Sequence, residues 1–464
     1  MMKTETHSQM MGEEPIRKLL WRFSLPAIVG MLVNALYNIV DSIFVGNSVG
    51  AIGLAAVTIA FPVMILMMGV GMLVGLGAAA LVSIRIGEQK MPQAEKILGH
   101  ALSLSVVSAV ITTAAGLADL DTVLILLGAS PDVLPYARDF TRIILWGSLP
   151  MYIGFGLNNL IRAAGHPRTA MGTMLMAAAL NTVLNPLFIF GMGMGIRGSA
   201  LATVLAQSVA AVWVIAFFCR QGSGLTLRWK NLRWELPLVK DICRSGLSPF
   251  LMQIGSSVIV FLYNYQLIQW GGETAVAVIG IINRMIMVLL MPVFGINQGV
   301  QPIIGYNYGA RRLDRVREAL KQAILAATAI CTVGFVLSEL FAAQILSLFS
   351  PDPALVAMGT PGMRISFCLL PLIGFQIVGS NYFQAVGQAG QAIFLTLVRQ
   401  ILLVIPLLLL LPPWFGLNGI WAVGPLTDIG CGLVVAYCLL KERRRLAALN
   451  LMSAPEEPVD LPRG

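Results

Sequence analysis

The chain has 464 residues, of which 57% are hydrophobic and only 11% are charged. A soluble domain carries about 25% charged residues, and a disordered chain is polar and highly charged, so this composition excludes a soluble enzyme and a disordered protein. What remains is a protein that lies in lipid, with a formal net charge of +9.

Long apolar stretches divide the chain into candidate transmembrane spans. A bilayer core about 30 Å thick needs about 20 apolar residues per helix, and the stretches lack the two-residue alternation of a barrel strand. The sequence therefore predicts an all-α polytopic membrane protein with twelve transmembrane helices. Spans 1 to 12 are predicted near residues 23–46, 52–78, 95–118, 137–161, 170–192, 197–219, 246–269, 275–302, 318–342, 358–383, 391–412 and 418–440.

Basic residues concentrate in every second loop between the spans. The loops between spans 2 and 3, 4 and 5, 6 and 7, and 8 and 9 carry most of them, as do the segments before span 1 and after span 12. The positive-inside rule therefore predicts cytoplasmic N and C termini, in a multi-pass protein of the inner or plasma membrane. Because the net charge then reflects topology, we expect the lipid bilayer and no nucleic acid as a partner.

Landmark residues recur at a nearly constant offset, which indicates a direct repeat of six spans. The pairs are Pro26 and Pro249, Gly77 and Gly299, Gly87 and Gly309, Pro150 and Pro371, Gly165 and Gly387, and Gly195/Gly198 with Gly416/Gly419. Because six is even, we expect two six-helix lobes related by an axis along the membrane normal. The predicted divisions are an N-terminal tail (1–22), an N-terminal lobe (23–220), a linker (221–244), a C-terminal lobe (245–440) and a C-terminal tail (441–464).

Four polar residues in the spans of the N-terminal lobe form a candidate coupling-ion site. A charge near the middle of a span costs at least about 2.5–3.5 kcal/mol, so Asp41 in span 1 needs an explanation. Asn181 and Asn185 lie four residues apart, on one face of span 5, and Thr203 lies in span 6. Their oxygens suit a small hard cation, and a buried carboxylate can also carry a proton. The amides and the hydroxyl could instead bond packed helices together.

A second group of residues is predicted to line a substrate cavity. Its members are Tyr37, Asn38, Met64, Gln253, Asn264 and Arg284. Tyr37 and Asn38 lie just before Asp41 in span 1. Gln253 and Asn264 supply polar groups in span 7, and Arg284 does so in span 8. Flexible methionine thioethers suit a cavity that accepts varied apolar ligands, although filling gaps between helices is the alternative interpretation.

The C-terminal lobe has its own buried charges. Arg399 in span 11 and Asp428 in span 12 both fall near the midplane, where we expect them to pair, with the arginine of span 8 as the alternative partner. Such a pair is either structural or functional. The repeat positions equivalent to Asp41 and Asp428 are about Asn264 and Gln207, so the acids are not duplicated and the two halves are specialised.

The sequence shows no pattern typical of metal or cofactor chemistry. The histidines His7, His100 and His166 are scattered, and no zinc-ligand spacing occurs. No Walker A loop is found either. We therefore expect no enzyme, no catalytic residues, no metal and no cofactor beyond a coupling ion.

Four stretches of the chain together form a specific pattern: LYNIVDSIFVG at 36–46, LNTVLNPLFIFGMGMGIRGSALATVLAQ at 180–207, INRMIMVLLMPVFGINQGVQPIIGYNYGA at 282–310 and FGLNGIWAVGPLTDIG at 415–430. They resemble the MATE (multidrug and toxic compound extrusion) family of cation-coupled antiporters. The resemblance covers the chain from about Ile16 to Glu442. It implies twelve helices in two lobes, and export of organic cations or drugs driven by inward H⁺ or Na⁺.

The resemblance also implies that coupling occurs in the N-terminal lobe, as in the prokaryotic branch of the family. The matching positions are Asp41, Asn181 and Thr203. Asn185 departs from the pattern, because members of that branch usually carry a second aspartate there. The loss of one negative charge weakens the case for tight Na⁺ binding and leaves Asp41 as the principal carrier.

These observations lead to the hypothesis of a secondary active antiporter. It would act as a monomer and export small-molecule organic cations or drugs in exchange for H⁺ or Na⁺, by alternating access of its two lobes. The alternative is a flippase for a lipid-linked or polysaccharide precursor, which would favour extra spans or a strongly cationic central cavity. A channel or receptor fits poorly with a duplicated two-lobe bundle.

Overall fold

The computed structural model of the chain describes residues 5–220, 224–349 and 352–453. This part is almost entirely helical and contains no strand, which confirms the predicted all-α class. Three π-helices, Tyr152–Gly156, Leu187–Gly191 and Val398–Val404, and one 3₁₀-helix, Trp229–Leu232, interrupt or connect the α-helices. The α-helices are Glu5–Glu13, Ile16–Gly87, Met91–Ala118, Leu120–Leu126, Leu134–Trp146, Ser148–Met151, Asn158–Ala163, Pro167–Pro186, Ile196–Cys219, Leu236–Gly309, Leu313–Phe349, Pro353–Phe367, Leu370–Ala385, Ala389–Leu397, Ile405–Leu410 and Pro412–Ser453.

The two longest helices each contain two predicted spans. In Ile16–Gly87 the backbone leaves the helical conformation at Gly50, with φ of +70°, and in Leu236–Gly309 it does so at Gly272, with φ of +66°. Glycine takes such angles without steric cost. The chain reverses at the first of these turns, because residues 12 and 87 both lie against Tyr306. The chain also reverses at the second turn, because Gly246 lies against Leu73 and Gly309 against Ile84, both towards the same end of span 2. Spans 1 and 2, and spans 7 and 8, are therefore antiparallel pairs.

The predicted number of spans agrees with the helices of the described residues. Nine helical stretches there are long and apolar enough to cross a membrane, with Leu236–Gly309 taken as one, and the pair Pro353–Phe367 and Leu370–Ala385, bent by 44°, supplies a further span. Leu236–Gly309 is two spans because of its turn. Residues 134–163 form span 4, which is divided into short helices around a π-helix.

The direct repeat is visible in the backbone as well as in the sequence. Residues with positive φ occur at equivalent places in the two halves, and one of these pairs is not glycine. A backbone conformation that L-residues rarely adopt is unlikely to recur in register by chance. The pairs are Gly50 and Gly272, Gln89 and Arg311, Gly165 and Gly387, and Gly195 and Gly416.

The two lobes contact each other closely at the end of the bundle that carries the basic loops. A Cβ atom on Gly87 of span 2 would lie 2.0 Å from the carbonyl oxygen of Tyr306, and one on Gly309 of span 8 would lie 2.1 Å from that of Ile84. Only glycine permits backbones to approach so closely, so the lobes are closed at this end. We call it the basic end, formed by residues 10–16, 85–96, 162–168, 228–244 and 307–317.

Candidate functional site

Asp41 lies partly buried in span 1 and accepts hydrogen bonds from two other spans. The amide nitrogen of Asn185 in span 5 and the hydroxyl of Ser199 in span 6 both donate to its Oδ1, the hydroxyl at 2.8 Å. Both donors are buried and neutral. No salt bridge to Asp41 is found in the described part of the chain, so its charge is stabilised by dipoles alone.

The local structure of span 5 places two amides on one face. Asn181 and Asn185 are one helical turn apart in Pro167–Pro186. Asn181 donates to the hydroxyl of Thr203 at 3.1 Å, while Asn185 reaches Asp41. After Pro186 the helix widens into the π-helix Leu187–Gly191, a type of bulge that is frequent at functional sites. The four predicted coupling residues are thus brought together as two bonded pairs.

The carbonyl oxygen of Asn185 has no hydrogen-bond partner among the described residues, although Asn185 is only 1% exposed. A buried acceptor without a partner is unfavourable, by about 1–3 kcal/mol, and calls for a specific reason. The amide nitrogen of the same side chain donates to the Asp41 carboxylate, and this bond fixes the direction in which the carbonyl oxygen points. Among the described residues, the site therefore contains one acid, Asp41, and beside it one acceptor without a partner, the carbonyl oxygen of Asn185.

A small polar cavity lies next to these residues, inside the N-terminal lobe. Its volume is about 30 Å³, enough for a water molecule or two and too small for a drug. It extends from the bonded pair in spans 5 and 6 towards span 4. The polar groups that line it belong to Asn34, Tyr37, Asn158, Thr173, Asn181, Thr203 and Gln207.

Ser199 is a site residue that the sequence analysis missed. It lies four residues before Thr203 in Ile196–Cys219, hence on the same face of span 6. The same spacing that paired the two asparagines of span 5 would have found it. Serine gives a weaker sequence signal than a buried acid, because hydroxyls commonly bond to the preceding turn of a helix.

The acid of the C-terminal lobe has a charged partner. Arg399 lies 3.4 Å from Oδ1 of Asp428, and the amide of Gln376 donates to the backbone carbonyl of Asp428. Asp428 is 4% exposed, whereas the arginine side chain is about a third exposed. The alternative partner Arg284 is exposed and lies outside this pair.

The predicted substrate-cavity residues are not assembled into one site. Tyr37 lines the small cavity of the N-terminal lobe. Gln253 faces span 2, where a Cβ on Gly69 would lie 3.5 Å from it, and Met64, five residues earlier in that span, is partly buried. Asn264 is partly buried and Arg284 exposed in the second half of the chain. The side chain of Asn38 lies outside the described residues.

With the fold and the site established, the chain can be compared with known proteins. The family model MatE matches residues 26–187 and again residues 249–410. The two matches begin at Pro26 and Pro249, the first pair of landmarks in the repeat, and together they span more than half of the chain. The chain is a member of the MatE family. It is therefore a multi-pass membrane transporter and not an enzyme.

The similarity to individual MatE relatives extends over nearly the whole chain. The multidrug export protein MepA of Staphylococcus haemolyticus (strain JCSC1435) is 27% identical over 435 residues, which is 94% of this chain and 95% of that protein. A multidrug resistance MATE family transporter of the MOP superfamily, solved in an outward-facing conformation, has a TM-score of 0.88 at 27% identity, covering 96% of this chain and 98% of that one. A solved structure named protein A is 39% identical, with a TM-score of 0.87 and coverage of 93% and 97%. These matches confirm the predicted twelve-helix, two-lobe architecture.

Proposed function

We propose that this transporter exports small-molecule organic cations or drugs in exchange for protons, and that Asp41 carries the proton. The name of the MepA relatives as multidrug export proteins supports the substrate class. One observation carries the choice of residue: Asp41 is held by the neutral donors Asn185 and Ser199, and the described residues offer it no salt bridge.

The contacts of Asp41 suit a group that changes its protonation state. Burial in low-dielectric surroundings disfavours the carboxylate, while hydrogen bonds donated to the carboxylate favour it. Both donors are neutral, so protonation weakens two hydrogen bonds and breaks no ion pair. A carboxyl group balanced in this way can bind and release a proton during transport.

The orientation of Asn185 favours a proton over Na⁺. Its amide nitrogen, not its carbonyl oxygen, faces Asp41. A hard cation such as Na⁺ would need oxygen ligands around the carboxylate, and an N–H group directed at the same carboxylate opposes a cation there. A proton on the carboxyl group needs no such ligand set.

Protonation of Asp41 would be transmitted through the packing of three spans. The carboxylate links span 1 to span 5 through Asn185 and to span 6 through Ser199. Because hydrogen bonds to a charged group are about twice as strong as neutral ones, protonation loosens this link. Two packings of span 1 against spans 5 and 6 then differ in their affinity for the proton, which is the requirement for coupling.

Alternating access would require the closed contacts at the basic end to part. Gly87 with Tyr306, and Gly309 with Ile84, close the space between the lobes at this end. Following the positive-inside rule we assign the basic end, with both termini, to the cytoplasm. Substrate then enters when these contacts open and leaves at the opposite end when they are closed. Because one chain contains both lobes, a monomer suffices.

The experiment that tests this proposal uses purified protein in proteoliposomes with one imposed gradient at a time. We expect a fluorescent organic cation to move against its own gradient when a pH gradient is imposed, and not when a Na⁺ gradient is imposed at equal pH. Movement driven by Na⁺ alone would contradict the proton assignment and leave antiport standing. Movement of a fluorescent lipid between leaflets without cation transport would favour the flippase.

A further inference from the structure

Each lobe holds the segment that leads into the first helix of the other lobe. Before span 1, residues 11–14 are bound by groups of the C-terminal lobe. The amide of Asn307 donates to the carbonyl oxygen of Met11 at 2.8 Å, and Arg315 donates to the carbonyl oxygen of Glu14 at 2.5 Å. Arg312 donates to the carbonyl oxygen of Gly12. These groups satisfy the free carbonyls at the end of helix Glu5–Glu13.

Before span 7, residues 228–235 of the linker are bound in the same way by span 3 of the N-terminal lobe. We call this stretch the linker strap. A Cβ atom on Gly99 would lie 2.4 Å from the carbonyl oxygen of Asn231, so the strap lies directly on the helix backbone. Lys96 lies 2.7 Å from the carboxylate of Glu235, and Arg228 lies 3.0 Å from the carboxylate of Glu95 in span 3.

The centre of this contact is a buried histidine. His100 is 1% exposed, and its Nε2 lies 2.9 Å from the backbone nitrogen of Glu235. Its Nδ1 lies 2.8 Å from the carbonyl oxygen of Lys96. A backbone N–H can only donate, so Nε2 must accept, and the ring proton must then be on Nδ1, where it is donated to the carbonyl. The observed contact thus requires neutral His100.

We propose that His100 is a pH-sensitive positioning residue that fastens the linker strap to the N-terminal lobe. A proton on Nε2 would face the N–H of Glu235, so protonation removes the acceptor and releases the strap. The strap ends one residue before span 7 begins at Leu236, so while it is fastened it holds this end of span 7 against the N-terminal lobe. Its release permits the lobes to separate at the basic end. The consequence for transport rests on the proposed alternating access, whereas the docking of the strap does not.

The charged groups around His100 have partners of their own. Glu95 and Lys96 of span 3 pair with Arg228 and Glu235 of the strap. The hydrogen bond from Lys96 lowers the pKa of the Glu235 carboxyl, so this acid stays ionised between pH 5.5 and 7.5.

The neighbouring spans keep their charges elsewhere. At the end of span 2, Glu88 pairs with Arg85 and Lys90. In span 7, Asp241 and Arg244 line a separate cavity of about 300 Å³. These contacts leave His100 as the titratable side chain whose own hydrogen bond joins the strap to span 3.

The segment before span 1 provides an internal control. Its binding groups are an asparagine and two arginines that donate to backbone carbonyls. Neither type changes charge between pH 5.5 and 7.5. A pH effect that occurs in residues 228–238 but not in residues 10–16 therefore isolates the histidine from general loosening of the fold.

Amide hydrogen exchange of the full-length protein tests the docking. We expect exchange of peptide 228–238, corrected for the intrinsic pH dependence, to be at least several-fold faster at pH 5.5 than at pH 7.5, with no change in peptide 10–16. In His100→Gln, whose amide oxygen can accept but does not titrate, the difference between the two pH values should vanish. Equal protection at both pH values in the wild type would overturn the proposal without any variant.

A distance measurement tests the link to lobe movement. Spin labels at Lys230 of the strap and at the exposed Arg168 of the N-terminal lobe report docking, and labels at Arg168 and Arg311 report the separation of the lobes. At pH 5.5 both distance distributions should broaden to longer values in the wild type and stay unchanged in His100→Gln. If only the first pair changes, the strap is released but does not hold the lobes closed, and the positioning role is wrong.

Discussion

The two buried acids of this transporter lie in contrasting surroundings. Asp428 in the C-terminal lobe faces Arg399 at 3.4 Å, whereas the partners of Asp41 among the described residues are an amide and a hydroxyl. Their repeat equivalents are about Gln207 and Asn264, so neither surrounding is copied in the other lobe.

This difference separates a structural charge from an exchangeable one. An arginine partner favours the ionised form of an aspartate against the effect of burial, because protonation would leave the arginine without its counter-charge. With neutral donors, burial favours the protonated form of an aspartate and the donated hydrogen bonds favour the carboxylate, so the two effects oppose each other. The contrast is the basis on which we propose proton exchange at Asp41 and helix packing at Asp428, and the following predictions are designed to break or refine that proposal.

The largest effect is expected from Asp41→Asn. The amide has nearly the same shape and cannot carry a proton, so export driven by a pH gradient should fall to the level of liposomes without protein. The exposed pair of Asp121 with Arg138 supplies a matched control, since Asp121→Asn makes the same chemical change away from the site. Unchanged driven export by folded Asp41→Asn would show that the two acids do not differ in function.

A change of coupling ion is expected from Asn185→Asp. The substitution replaces the N–H group that faces Asp41 by a second carboxylate, which supplies oxygen ligands and a further negative charge. Export should then respond to a Na⁺ gradient in proteoliposomes. Asn181→Asp adds the same charge one helical turn away, beside Thr203, and should produce a smaller response. An equal response in both variants would contradict a specific role of position 185.

Asp428→Asn should affect stability more than coupling. It leaves Arg399 without its counter-charge, which we expect to cost about 1–2 kcal/mol, given that solvent reaches the arginine. Thermal unfolding in detergent measures this loss, and Arg399→Gln in the same chain should recover part of it. Driven export per folded molecule should persist. Its disappearance at unchanged stability would make Asp428 a second carrier.

The smallest effect is expected from Ser199→Ala. The variant removes one of the two donors that favour the Asp41 carboxylate, so the proton binds at higher pH and the pH profile of export moves upwards. The shift should be about one pH unit, since a hydrogen bond to a charged group contributes about 1.5 kcal/mol or more. Ser208→Ala is the control, because Ser208 bonds only to the backbone of its own helix. A shift to lower pH would contradict the donor role.

Much of the architecture could be predicted from the sequence because its causes are local. Apolar stretches, basic loops and repeated glycines are properties of neighbouring residues, and they predicted the spans, their number and the duplication. The starts of the helices were less predictable. Span 1 begins at Ile16, within the predicted tail 1–22, because Met11 and Leu19 are buried at the basic end by the other lobe.

The candidate site was predictable only in part. Asp41 stands out in any membrane span, because a charge there is costly. Ser199 does not stand out, since an isolated serine is ordinary in a helix, and its role depends on a contact with a residue 158 positions away.

The sequence by itself determined the membrane class, the repeat and the acid that needs a function, since hydrophobicity and charge act through the solvent. Only the tertiary structure decided which acid has a cationic partner and which histidine nitrogen accepts a hydrogen bond from the linker. His100 and Glu235 are 135 positions apart, and their contact exists because the linker folds back onto span 3. Such contacts depend on the geometry of distant helices, which no local pattern of residues encodes.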